Sequence, residues 1–119
     1  MQEKINLLPE IINSIQEKKG KKITIIDLED ISGASADKFV ICEGRSTSQV
    51  SAIADAVRED LLKNTGKKPY NYDGYRNSEW IIIDYGDIMV HIFLPEIRMH
   101  YNLEDLWSDG KFTHIHDLD

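Results

Sequence analysis

The sequence predicts an α/β domain with a mixed β-sheet of about five strands flanked by helices. Two observations lead to this prediction. Apolar residues recur at helical spacing in two segments, and short β-branched runs separate and follow them, in the order α-β-β-α-β-β-β-α. The chain has 119 residues, enough for one hydrophobic core, and no Pro/Gly/Ser-rich linker divides it. We therefore expect a single domain over residues 1–119.

The first third of the chain predicts one helix and two strands. A helix is expected over Asn6–Lys19, where Pro9 fits the first turn because its missing N–H costs little there. Gly20 then ends the helix. A strand is expected over Lys22–Leu28, and a second over Lys38–Glu43. The second strand is apolar on both faces, which predicts a central position in the sheet.

A longer helix follows and has the clearest end signals in the chain. Ser46 and Gln49 have the spacing of a capping box, in which each side chain takes up a backbone N–H at the helix start. Gly66 is suited to the helix end. The apolar residues between them recur at helical spacing: Val50, Ile53, Ala54, Val57 and Leu61.

The stretch from Trp80 to Trp107 predicts a hairpin followed by helical turns. Two apolar strand-like runs, Trp80–Ile83 and Ile88–Leu94, flank a polar hinge of sequence Asp84-Tyr85-Gly86-Asp87. An edge strand over Tyr70–Asp73 is expected to precede them.

Short helical segments are expected to close the domain. A short helix is expected over Pro95–Tyr101 and a helical turn over Leu103–Leu106. Residues 108–119 match no pattern with a clear role, and we expect them to form a loosely attached tail.

The charge balance bears on the class of partner. Asp and Glu number 21 against 14 Lys and Arg, for a net charge of −7. This balance disfavours binding to nucleic acid through its phosphates, so no direct nucleic-acid contact is expected. An acidic domain is steered towards basic partners, although the same charge also serves solubility alone.

Apolar content and cysteine usage bear on location. No run approaches the roughly 18 apolar residues of a membrane span, so no membrane association is expected. The single cysteine, Cys42, lies in an apolar strand-like run and cannot form an internal disulfide. Such a thiol is typical of a reducing compartment, and we expect a cytoplasmic protein.

Two features could carry nucleotide chemistry. Gly44-Arg45-Ser46 lies between a strand and a helix, where backbone N–H groups could hold a phosphate, and Asp27, Asp84 and Asp87 could bind a divalent metal. However, Asp84 and Asp87 are three residues apart across a turn, whereas the chemistry requires carboxylates that alternate on one strand. A helix cap and a hairpin turn are favoured instead, and no catalytic, cofactor-binding or metal-ligating residue is assigned. A nucleotidyltransferase-like enzyme or nucleotide-binding domain remains the alternative.

The hairpin strands also carry residues typical of a protein interface. Alternation places Trp80 and Asp84 on one face of their strand, and Asp87, Met89 and His91 on one face of the next strand. If the long helices cover the other face of the sheet, this mixture of side chains suits a docking surface. The alternative is that Trp80 only covers the core at the strand end.

Several motifs of this chain resemble those of the ribosomal silencing factor family, also called the Iojap-like family. The resemblance covers nearly the whole chain up to Trp107. The combination is more specific than any one piece of it. The matching segments are Asp37–Gly44, Arg45–Val50, Ala52–Asp55, Trp80–Asp87, Val90-His91 with Phe93, and Tyr101 with Leu103-Glu104 and Leu106-Trp107.

The resemblance implies a translational repressor without enzymatic activity and without a cofactor. Members of the family bind ribosomal protein L-fourteen on the large ribosomal subunit and block joining of the small subunit when nutrients are scarce. Their fold is similar to a degenerate nucleotidyltransferase, and a homodimer is possible. Carried over to this chain, the resemblance predicts these partner-binding residues: Trp80, Asp84, Tyr85, Asp87, Met89 and His91.

Overall fold

The computed structural model describes residues 6–118 and confirms the α/β fold with a mixed sheet between helices. Helix boundaries lie within two residues of those expected. The elements are α1 Leu8–Glu17, β1 Lys21–Asp27, β2 Lys38–Glu43, α2 Thr47–Thr65, β3 Asn71–Asp73, β4 Trp80–Asp84, β5 Ile88–Phe93, α3 Pro95–Tyr101, α4 Leu103–Leu106 and β6 Lys111–His114.

The sheet has the strand order β3-β4-β5-β2-β1-β6. Strands β2 and β5 run parallel, and all other neighbouring strands run antiparallel. Strand β2 lies in the interior of the sheet, and its four middle residues are buried. Its central position, expected from side chains that are apolar on both faces, is confirmed.

Helices α1 and α2 cover one face of the sheet. The cluster beneath them takes Ile81 and Ile83 from β4 and Val90 and Ile92 from β5, all completely buried. Helix α2 ends at Gly66, whose φ of 73° is left-handed and whose N–H donates to the carbonyl of Leu62.

The start of α2 confirms the prediction that Ser46 and Gln49 each take up a backbone N–H there. Ser46 Oγ accepts from the N–H of Gln49 at 3.1 Å, as expected. Gln49 Oε1 does not reach back to the Ser46 N–H but accepts from the N–H of Arg45 at 2.6 Å. Its amide nitrogen meanwhile donates to the carbonyls of Lys18 and Lys19, at 3.1 and 3.2 Å. The side chain therefore joins two loops as well as capping a helix.

The second face of the sheet is covered unevenly. Helices α3 and α4 and the loop after β1 pack over β2 and β1, around Phe39, Ile41 and Ile26. The corresponding positions on β3 and β4 are only half-buried or exposed. By strand register these positions are Asn71, Asp73, Trp80, Ile82 and Asp84.

The C-terminal segment corrects one expectation. Residues 111–114, expected to lie in a loosely attached tail, form β6 and pair with β1, giving the sheet six strands rather than about five. Phe112 packs into the second-face cluster. Asp117 accepts from the Lys22 N–H at 2.7 Å, which fastens the following residues. Two features explain this attachment. Without β6 the edge of β1 would be unpaired, and the register with β1 brings Phe112 opposite Ile26 in the second-face cluster.

No helix within residues 6–118 has both the length and the apolar character needed to cross a membrane.

Candidate protein-docking site

The incompletely covered part of the second face carries a group of apolar and aromatic side chains. We call this group the aromatic patch and define it as Trp80, Ile82, Met89 and Tyr101. Trp80 and Ile82 alternate along β4, and Met89 is a diagonal neighbour of Ile82 on β5. Tyr101, at the end of α3, lies against Trp80 with ring centroids 4.7 Å apart.

Trp80 is held in place from below. Its indole stacks on the buried ring of Phe93 at 5.0 Å between centroids. Its Nε1–H donates to His91 Nδ1 at 3.1 Å. The indole is half-buried, so one part of it supports the core while the rest faces outward. Both interpretations of Trp80, as a core cover and as a surface residue, therefore describe part of its environment.

His91 supports Trp80 rather than facing outward. Its side chain is buried, with 3% exposure, and its ring lies 4.7 Å from that of Phe39. Burial lowers the pKa of His91 to about 4, so the imidazole is neutral near pH 7. Nδ1 accepts a hydrogen bond from the indole N–H of Trp80. The neutral imidazole of His91 therefore carries its own proton on Nε2.

The hinge between β4 and β5 is a tight turn shaped by Asp84. Its Oδ1 accepts from the Gly86 N–H at 2.8 Å, and Gly86 takes a left-handed φ of 84°. The N–H of Tyr85 donates to the carbonyl of Ile88 at 2.9 Å. One carboxylate oxygen of Asp84 is thus used within the turn, and the residue remains half-buried beside Met89 in strand register.

Tyr85 and Asp87 are separated from the aromatic patch. Tyr85 belongs to the cluster under α1 and α2, on the opposite face, with 7% exposure. Burial raises its pKa to about 12. Asp87 is exposed in the turn, and its carbonyl accepts from the N–H groups of Asp37 and Lys38. The structure therefore brings Trp80, Asp84, Met89 and His91 onto one face and leaves these two residues outside it.

The sequence motifs contained Tyr101, but the sequence did not predict it as a site residue. It is 53% exposed despite its contact with Trp80. Met99 on α3 and Leu106 on α4 are also exposed, at 80% and 71%. The sequence does contain a signal for these exposed side chains: they are apolar residues that do not fit the buried stripe of a short helix.

The loop expected to hold a phosphate in the alternative interpretation is committed to other contacts. The Gly44 N–H donates to the Phe93 carbonyl at 2.9 Å, and the Arg45 N–H donates to Gln49. Ser46 Oγ caps α2. The backbone donors at Gly44 and Arg45 are therefore occupied within the protein, which argues against a phosphate cradle here.

The carboxylates of the alternative metal site are also far apart. Asp27 ends β1 and Asp84 ends β4, and β2 and β5 lie between these strands. Three strand spacings of about 4.8 Å separate them by roughly 14 Å, too far for one ion. Within residues 6–118 no three His, Cys, Asp or Glu side chains come together in a metal-binding arrangement.

Comparison with known proteins identifies close relatives. The family model described as "Ribosomal silencing factor during starvation" matches residues 1–119. Ribosomal silencing factor RsfS of Halalkalibacterium halodurans is 37% identical over 109 residues, 92% of each chain. The Bacillus subtilis protein of the same name is 38% identical and covers 87% of this chain and 83% of its own.

Solved structures agree with these sequence matches. A crystal structure of a Chromobacterium violaceum protein superimposes with a TM-score of 0.80 at 30% identity. The match covers 86% of this chain and 83% of that one. Sequence and fold therefore point to the same relatives.

Proposed function

The chain belongs to the ribosomal silencing factor family, and from this premise we propose that it represses translation by docking on the large ribosomal subunit. The contact is made through ribosomal protein L-fourteen. The bound protein then occupies space that the small subunit needs, so the two subunits cannot join. This role is regulatory and uses no catalytic group.

The aromatic patch is the observation that carries this proposal. A Trp and a Tyr in ring contact, with Ile82 and Met89 beside them, form the kind of centre from which protein interfaces gain most of their affinity. Phe93 and His91 fix the Trp80 ring before binding, so little side-chain entropy is lost when a partner covers it.

Acidic side chains border the patch and suit a basic partner. Glu79 precedes Trp80 and is exposed, and Asp73 is exposed opposite Ile82 in strand register. Asp84 is half-buried at the far end of β4. Carboxylates at the rim of an apolar centre favour the encounter with a basic protein surface.

The six predicted contact residues divide into two groups under this proposal. Trp80, Met89 and Asp84 offer surface to the partner, and Asp87 is exposed in the neighbouring turn. His91 and Tyr85 are buried and act from within the fold, His91 by holding Trp80. The possible homodimer remains a prediction that light scattering of the purified protein tests.

Binding to purified large subunits tests the proposal. Trp80→Glu places a charge in the centre of the patch and should weaken co-sedimentation at least about 30-fold. Tyr101→Glu changes a more exposed ring, and we expect a loss of about 10-fold with an unchanged fold. Leu62→Glu is the matched control, because Leu62 is 46% exposed on α2, over the opposite face.

A subunit-joining assay completes the test. The wild-type protein and Leu62→Glu should lower the yield of joined ribosomes, and Tyr101→Glu should do so only at higher concentration. Failure of the wild type to bind large subunits would contradict the proposed function. Unchanged binding by both patch variants, each folded by circular dichroism, would contradict only the assignment of the patch.

A further inference from the structure

Positive charge is concentrated in two neighbouring loops of this acidic chain and at the adjoining start of β1. The loop between α1 and β1, the first two residues of β1 and the loop between β2 and α2 together hold five of the chain's fourteen Lys and Arg residues. We call these residues the basic patch: Lys18, Lys19, Lys21, Lys22 and Arg45. Resting on the function proposed above, we propose that the basic patch contacts the RNA phosphate backbone of the large ribosomal subunit.

The charges of the basic patch are available. Lys18, Lys19, Lys22 and Arg45 are exposed, and within residues 6–118 none of them forms an ion pair. Lys21 Nζ donates to the neutral carbonyl of Leu118, and within residues 6–118 it forms no ion pair.

Nearby carboxylates do not cancel this charge. Glu43 and Glu104 share one counter-charge, Arg98, and Asp117 accepts a backbone N–H from Lys22. Glu17 is a further exposed carboxylate at the end of α1. Within residues 6–118, counting Glu17, Asp117 and the one negative charge left on the Arg98 network against the five cations still leaves a local excess of positive charge.

The two loops are fixed to each other. Gln49 donates to the carbonyls of Lys18 and Lys19 and accepts the N–H of Arg45. The Gly20 N–H donates to the Ile15 carbonyl at 2.9 Å, which fastens the first loop to α1. The backbone that carries the cations is therefore organised before any partner arrives, and only the side-chain ends need to be ordered on binding.

Strand register places the basic patch at the same end of the sheet as Trp80. Lys21 on β1 lies opposite Glu43 on β2, Glu43 lies opposite Phe93 on β5, and Phe93 lies opposite Trp80 on β4. Three strand spacings of about 4.8 Å put Lys21 roughly 14 Å from Trp80. A partner that covers Trp80 therefore has its border close to the basic patch.

This position decides the class of partner. A basic ribosomal protein that covers the aromatic patch would repel the five cations of the neighbouring basic patch. Binding therefore requires dense negative charge next to that protein. On a ribosomal subunit the phosphate backbone supplies that charge. The whole-chain charge of −7 disfavours nucleic-acid binding by the molecule as a whole, but the fold separates the charges enough for a local contact.

The salt dependence of binding to purified large subunits tests the proposal. The triple variant Lys18→Gln, Lys19→Gln, Lys22→Gln should lower the slope of log affinity against log KCl by about 2 to 3, since each lost phosphate contact removes about 0.7 to 0.9. The same variant should bind isolated L-fourteen with wild-type affinity or better. Ultraviolet crosslinking to large-subunit RNA should be seen for the wild type and lost in the variant.

A matched triple variant controls for net charge. Lys63→Gln, Lys67→Gln, Lys68→Gln removes three exposed lysines at or beyond the far end of α2, and its slope should stay close to that of the wild type. Equal slopes for the wild type and the basic-patch variant would overturn the proposal, as would crosslinks to protein but not to RNA. Absence of wild-type binding would instead overturn the proposed function on which it rests.

Discussion

The stability of the fold should depend on pH through His91, the buried hydrogen-bond partner of Trp80. His91 titrates near pH 4 in the folded protein because it is buried, against about 6.5 when unfolded. The unfolded chain therefore binds the proton more readily, and the fold loses stability as pH falls from about 6.5 towards 4. The full shift corresponds to a loss on the order of 3 kcal/mol in the free energy of unfolding.

Urea unfolding at several pH values between 4.5 and 7.5 checks this expectation. His91→Gln should be less stable than the wild type at pH 7 but should show a flatter decline towards pH 4.5, because Gln does not titrate. The matched control is His100→Gln, which alters an exposed histidine on α3 and should keep the wild-type pH dependence. Parallel curves for the wild type and His91→Gln would refute the role given to burial.

Arg98 is a second residue whose substitution should strongly affect the stability of the fold. Its Nη1 donates to the Lys22 carbonyl at 2.8 Å and to Glu43 at 3.1 Å, and its Nε donates to Glu104 at 3.0 Å. Its side chain is only 11% exposed. Arg98→Met should lower the free energy of unfolding by about 3 kcal/mol, because the largely buried Glu43 loses its counter-charge.

Thermal and urea unfolding of Arg98→Met measure this loss. Lys111→Met is the matched control, since it breaks an ion pair with Asp30 whose side chains are 78% and 85% exposed. That change should alter stability by less than about 1 kcal/mol. If the two variants are equally stable, the network around Arg98 does not contribute as its geometry indicates.

At the scale of elements, β6 shows how an edge strand completes the sheet. Truncation after Gly110 removes β6 and exposes Ile26, which is completely buried in the intact chain. We expect a loss of at least about 2 kcal/mol from this side chain and the lost strand pairing, measured by urea unfolding. Deletion of residues 118–119 alone is the control and should change stability little. Equal stability of both shortened chains would mean that β6 is not needed.

The elements predicted from sequence share a strong local signal. Helix α2 has a cap at each end, and β2 is apolar on both faces, so the sequence predicts the bounds of both within one residue. Strand β6 has only four residues, mostly polar, and its pairing with β1 spans most of the chain. Such a pairing depends on tertiary context and leaves little trace in the sequence.

The candidate docking site is predictable from the sequence only in part, because only some of its features leave a local signal. Alternation along β4 and β5 correctly placed Trp80, Met89 and His91 on one face. Alternation cannot tell which side chains a helix elsewhere in the chain will cover. The burial of His91 and the contact of Tyr101 with Trp80 both depend on how β5 and α3 pack, so they appear only in the fold.

For the whole molecule, the same six strands separate two unlike surfaces. One face is covered by α1 and α2, and the other carries the smaller cluster around Phe39 with the aromatic patch at its margin. Successive residues of β4 and β5 supply both sides, so neither cluster can lose its strands without disturbing the other. The aromatic patch should therefore remain formed for as long as the long helices stay packed.

This coupling predicts a single unfolding transition, and the chain provides a separate probe for each face. Both of its tryptophans, Trp80 and Trp107, pack against the second-face cluster, so their fluorescence reports that side. Circular dichroism at the helical band reports mainly α1 and α2, because α3 and α4 are short. Urea curves from the two probes should coincide in midpoint and slope, since a shared sheet makes the faces one cooperative unit. Loss of the tryptophan signal at clearly lower urea would show instead that the second face opens on its own.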